Sequence, residues 1–100
     1  MVRIPAPTSI TIGAKTFQIR QNPRLSLEEG ANGLCVQSRL IIEIEAGILP
    51  EYKTSTLLHE AVEAINRIWL AGCLDHDDID RMGEALAQLL QGLGIEIEWT

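Results

Sequence analysis

The chain has 100 residues, 46% of them hydrophobic and 22% charged, a composition that suits one globular domain and excludes compositional disorder. A formal net charge of −6 argues against a general nucleic-acid surface. No apolar run approaches the roughly 20 residues that cross a bilayer, and "MVRIPAPTSI" lacks the apolar stretch of a signal peptide; a cytoplasmic protein without a membrane partner is expected.

Residues 1–7, with Pro5 and Pro7, read as an irregular lead-in. "ITIGAKTFQIR" alternates: Ile10 and Ile12, a Gly13-Ala14 turn, then Phe17 and Ile19, which predicts a β-hairpin. "NPRL" is a turn, because Pro23 restricts Asn22 and has no N–H to donate. "GANG" is a loop. A second hairpin follows, Leu34–Gln37 turning at Ser38-Arg39 into Leu40–Glu45, with Leu40, Ile42 and Ile44 on one face. Ile41 interrupts the polar face, so that face is expected to be partly covered.

At Pro50 the period changes from two to 3.6. Leu58, Val62, Ile65 and Trp69 mark the apolar stripe of a helix that ends near Gly72. A second helix starts at Asp75–Asp78, where acidic residues complement the helix dipole, and runs to the Gly92/Gly94 pair. Ile79, Met82, Leu86, Leu89, Leu90 and Leu93 are its expected core face. "IEIEW" closes as a strand with Ile95, Ile97 and Trp99 inward. The expected fold is a single α+β domain over residues 1–100, a small antiparallel sheet with two helices on one face.

The four basic groups of residues 1–27 (Arg3, Lys15, Arg20, Arg24) meet no acid in that segment, and all fourteen acidic groups follow it. The two segments are expected to face each other. Cys35 and Cys73 make no disulfide framework; both sit among apolar residues and read as buried free thiols.

"TLLHEAVEAIN" carries the chemistry. Zinc hydrolases use H-E-x-x-H on a helix; here the pattern is H-E-x-x-E, with His59, Glu60 and Glu63. Residues at i and i+4 share a helix face, so His59 and Glu63 can grip one ion. Glu60, directly after the first ligand, then stands beside the metal with the placement of a general base and points away from the core. A catalytic zinc site needs a third protein ligand, and the only other histidine is His76, at the start of the second helix. The ligand set is read as His59, Glu63 and His76, with Glu60 as base. Against it stands the plainer reading of a solvated acidic helix face. A Cys73-x-x-His76 pair joining His59 ranks lower, because two-residue matches arise often by chance. "DHDDID" lacks the Gly and Glu of a calcium loop.

"TLLHEAVEAIN" followed by "LDHDDIDRMGEALAQLLQ" resembles a family of small phage and prophage zincin-like proteins. The resemblance covers about residues 33–93 and is strongest over 56–66. It implies a minimal zincin: a curved sheet, an active-site helix and a supporting helix. His59 and Glu60 match the family's ligand and base, and Glu63 stands at the second ligand position where H-E-x-x-H has His. The implied activity is that of a zinc-dependent, metallopeptidase-like hydrolase on a peptide or protein, with an extended substrate pairing to a strand such as Leu40–Glu45. A non-catalytic binding module of the same fold is the alternative, and a structural metal site tying the two helices is a third.

Overall fold

The computed structural model describes residues 1–99. Six strands and three helices follow in the order β1 (Val2–Pro5), β2 (Ser9–Ile12), β3 (Lys15–Asn22), α1 (Leu25–Glu29), β4 (Gly33–Val36), β5 (Ile41–Glu45), α2 (Pro50–Trp69), α3 (His76–Gly92) and β6 (Ile95–Glu98). The class is α+β.

The main sheet has the order β2-β3-β5-β4. Its outer pairs are the expected hairpins: Ile12 faces Lys15 across the Gly13 turn, and Cys35 faces Ile42. The central pair β3–β5 is parallel, with Ile19 beside Ile42, so the sheet is mixed rather than all antiparallel. Side-chain alternation is the same whichever way a strand runs, which is why the pattern did not reveal this direction. The expected lead-in is not irregular: β1 forms a separate parallel pair with β6, Val2 beside Ile95 and Pro5 beside Glu98. Pro5 is tolerated because β1 is an edge, where a missing N–H costs no ladder bond.

Phe17, Ile42 and Ile44 are fully buried and pack with Leu57, Ala61 and Ala64 of α2. The two long helices share one side of this sheet. α2 lies on β2, β5 and β4; α3 lies against α2 and β6. α2 is therefore covered on two sides, and its buried arc runs through Leu57, Glu60, Ala61, Val62, Ala64 and Asn66. That arc is wider than, and rotated from, the expected stripe, so Trp69 is 66% exposed. On α3 only Ile79 and Gly83 are buried, and Met82, Leu89 and Leu93, expected in the core, are exposed.

The five-residue α1, within a segment read as turn and loop, packs on β5 and buries Leu25 completely. Its Ser26 donates from N and Oγ to Glu45 Oε1 at 2.9 Å, and Gly47 N donates to Oε2 at 2.8 Å. Those donors hold the buried Glu45 carboxyl below its ordinary range. Trp99 is buried and donates from Nε1 to Thr54 Oγ1 at 2.9 Å, tying the end of β6 to α2. No helix of the described residues is long and apolar enough to cross a membrane.

Candidate metal and acid–base site

Three backbone features bring the polar residues of α2 and α3 together. Asp75 caps α3 in a reciprocal box: its Oδ1 accepts from Asp78 N at 2.8 Å, and Asp78 Oδ2 accepts from Asp75 N at 3.3 Å. Buried Asn66 of α2 clamps the preceding residue, accepting from Leu74 N at 3.0 Å and donating to Leu74 O at 3.4 Å. His76 thus starts a helix whose origin is pinned to α2. About two turns further on, Gly83 packs on the backbone of His59, so close that a Cβ there would lie 3.0 Å from His59 Cα.

The result is a polar junction centred on His59. Its Nδ1 lies 3.0 Å from Asp80 Oδ1, and the His59 and His76 rings meet edge to face with centroids 5.9 Å apart. His76 Nε2 is 3.5 Å from Asp80 Oδ2. On its other side, His59 Nε2 is 3.8 Å from Glu60 Oε2 and 3.9 Å from Glu63 Oε2.

Two groups of side chains could hold a metal ion: His59, His76 and Asp80, and His59, Glu60 and Glu63; within each, the donor atoms lie within 4.8 Å of one another. His59 belongs to both. The structure places Glu63 next to His59 and His76 next to His59, but among the described residues Glu63 and His76 do not fall in one group. Asp80, absent from the ligand set expected from the sequence, stands between the two histidines. The i, i+4 spacing of His76 and Asp80 is the signal that marks it. Cys73 is exposed rather than buried and belongs to neither group.

Glu60 does not point away from the core as expected. It is 8% exposed, beneath β4, where a Cβ on Gly33 would come within 2.8 Å of its Oε2. Burial pushes its carboxyl up to about 7, the Glu63 charge adds to the effect and Arg67 opposes it. Arg67 also pairs with Glu63 at 3.8 Å. Buried Cys35, on the same strand as Gly33, is pushed up to about 11 by burial and by the Glu60 charge, so it remains a thiol at neutral pH.

His59, Glu60 and His76 line one cleft of about 300 Å³, whose far wall is Ala31, Asn32 and Gly33 at the start of β4. β4 is the edge of the main sheet on the side of the cleft; β5, the strand expected to accept a substrate, is paired on both sides. An extended chain would therefore add to β4 rather than to β5. No family model, no curated protein and no solved structure matches this chain.

Proposed function

We propose that the protein is a zinc-dependent, metallopeptidase-like hydrolase of the zincin type, with His59, His76 and Asp80 as the metal-holding residues and Glu60 as general base. One observation carries the reading: the His59 imidazole has the Asp80–His76 pair on one side and the buried Glu60 carboxyl on the other, and His59, His76 and Glu60 face a single cleft beside a free strand edge.

The donor set fits the ion. Two neutral imidazoles and a carboxylate are among the ligand classes of catalytic zinc sites, and ligands on a tetrahedral zinc stand about 3.3–3.6 Å apart. Small side-chain rotations bring donors within 4.8 Å to that spacing. When bound, zinc supplies a Lewis acid that polarises a scissile carbonyl.

The chain's own residues do the rest. Glu60, held near neutrality by burial, takes a proton from the attacking water on its carboxylate and returns it to the leaving amine. Glu63 keeps that carboxyl basic through its charge and is itself steadied by Arg67. The N–H and C=O groups along the outer edge of β4 hold an extended peptide across the cleft. The resemblance of "TLLHEAVEAIN" to zincin-like phage and prophage helices supports the same assignment for His59 and Glu60.

A second reading has its own support. His76 and Asp80 both belong to α3, and His59 to α2, so a metal held there would also staple the two helices without any catalysis.

The test is direct. Protein purified without added metal is analysed for zinc, then loaded and offered a peptide library beside Glu60→Gln. Turnover lost by two or more orders of magnitude in Glu60→Gln, with zinc still bound, is the expected result. Turnover surviving in that variant removes the mechanism. Bound zinc with no turnover on any peptide leaves the structural staple.

A further inference from the structure

The cleft at His59 adjoins a larger cavity. Ser55 and Glu84 line both, and the second cavity has a volume of about 610 Å³. It runs between α2, which contributes Glu51 and Tyr52, α3, which contributes Glu84, and β6, which contributes Ile95 and Ile97. Among the described residues no Lys, Arg or His lines it, and Met1, which carries the chain's α-amino group, lies on its wall. Glu96 at its edge approaches Arg3 at 3.9 Å, an exposed pair that contributes little in water. Among the described residues, Glu51 and Glu84 take part in no ion pair.

The chemistry of the trough has one complement. Ile95 and Ile97 suit the methylene stem of a long side chain, and Tyr52, 60% exposed, offers an aromatic face to a cation. Glu51 and Glu84 supply two free carboxylates. At the other end, the Glu60 side chain is nine-tenths buried and lines the adjoining cleft. Glu84 and Ser55, which line both spaces, stand where the trough meets the cleft that holds Glu60.

We propose that the trough binds a cationic peptide segment, with Glu84 and Glu51 selecting Lys or Arg. Resting on the hydrolase reading, that segment is the part of a peptide substrate next to the bond cleaved beside Glu60.

Three fluorescein-labelled octapeptides test this, alternating Ala with Lys, with Gln or with Glu. Binding to the full chain is read by fluorescence anisotropy after EDTA treatment, and cleavage by mass spectrometry after zinc loading. The Lys peptide should bind on the order of tenfold more tightly than the Gln peptide, as expected for two or three partly exposed charge pairs. About 0.5 M salt should shrink the difference, because surface charges are then screened within a few ångström. The Glu51→Gln/Glu84→Gln double variant should bind both peptides alike, and Glu84→Lys should favour the Glu peptide. Glu28→Gln/Glu29→Gln, which removes the same net charge elsewhere, should keep the preference. Equal affinities in the native chain, a preference that survives in the trough double variant, or an equal loss in the Glu28/Glu29 control would overturn the proposal. Cleavage of all three peptides at one rate overturns the trough and leaves the hydrolase. Selective binding of the Lys peptide without cleavage keeps the trough and removes the hydrolase.

Discussion

Gly83 of α3 rests on the backbone of His59 in α2, so closely that a methyl group there would force the two helices apart by a few tenths of an ångström. Asp80 lies one turn before Gly83, so this contact also decides where the Asp80 carboxylate meets the imidazole. In an exposed helix, Gly→Ala would gain about 1 kcal/mol. Here a Cβ would stand 3.0 Å from His59 Cα and 3.1 Å from His59 N, atoms that no rotamer change can move. Gly83→Ala should therefore destabilise the protein by about 1–2 kcal/mol net, as overpacking does. Urea denaturation measures that loss, and zinc titration of the same variant should show weaker binding. An Ala variant at least as stable as the native chain would mean that the helices can separate freely.

Glu60 sets a pH dependence. Its carboxyl is raised in the folded state from 4.5 to about 7, so the folded form binds a proton that the unfolded form has already released. Stability is fully present below about pH 4.5 and declines as pH rises through about 7, by about 3 kcal/mol in total. In metal-free protein, Glu60→Gln should abolish that decline and be the more stable form at pH 8. Glu45 acts in the opposite sense. Its carboxyl is lowered, so its contribution is present above its unfolded value and lost as pH falls through the folded one. Glu45→Gln should flatten the acid limb and leave the neutral limb alone. Melting curves from pH 3 to 9 on both variants separate the two limbs; parallel curves for native and Glu60→Gln protein would exclude the buried-acid account.

Asn66 is the clamp on the interhelical loop. Asn66→Ala removes both hydrogen bonds to Leu74 and leaves its part-buried N–H and C=O without those partners. The expected cost is about 1–3 kcal/mol. Zinc affinity should fall as well, because His76 begins two residues after Leu74. A variant that loses stability but binds zinc at native strength would show that the α3 cap alone positions His76.

The two carboxylates beside His59 should fail differently. Asp80→Asn should weaken zinc binding strongly, since an amide is a poorer ligand than a carboxylate. Glu63→Gln should leave most of the zinc affinity and lower the pH at which Glu60 titrates, since it removes the charge that helps raise it. His59→Ala belongs to both groups and should abolish the zinc-induced rise in melting temperature, a stabilisation of about 2.7 kcal/mol at a hundredfold excess over Kd in the native chain. If Glu63→Gln loses zinc and Asp80→Asn does not, the ligand set is His59 with Glu63 instead.

Period and punctuation made the hairpin at Gly13, the long helices and the closing strand legible in the sequence. Strand direction was not, because alternation carries no arrow. Glu60 looked solvent-facing because a single apolar stripe assumes one buried side; α2 has two, and small Ala61 and Ala64 face the sheet where larger residues were expected to do so. His59 stood out through its motif. Asp80 did not, since its role depends on a glycine three residues on that lets two helices approach. Gly33 is equally silent in the sequence, yet it makes the room that Glu60 occupies under β4.

The parallel pairing of β1 with β6 has a kinetic consequence. Val2 cannot meet Ile95 until every residue between them exists and the rest of the chain has drawn the two together. Closing so long a loop is entropically costly, and pairings distant in sequence slow folding. During synthesis β1 remains an unpaired strand, with Val2 and Ile4 exposed to whatever strand edge it first encounters. Val2 and Ile4 stay exposed in the finished fold as well, while their partner strand reaches the core through Ile97.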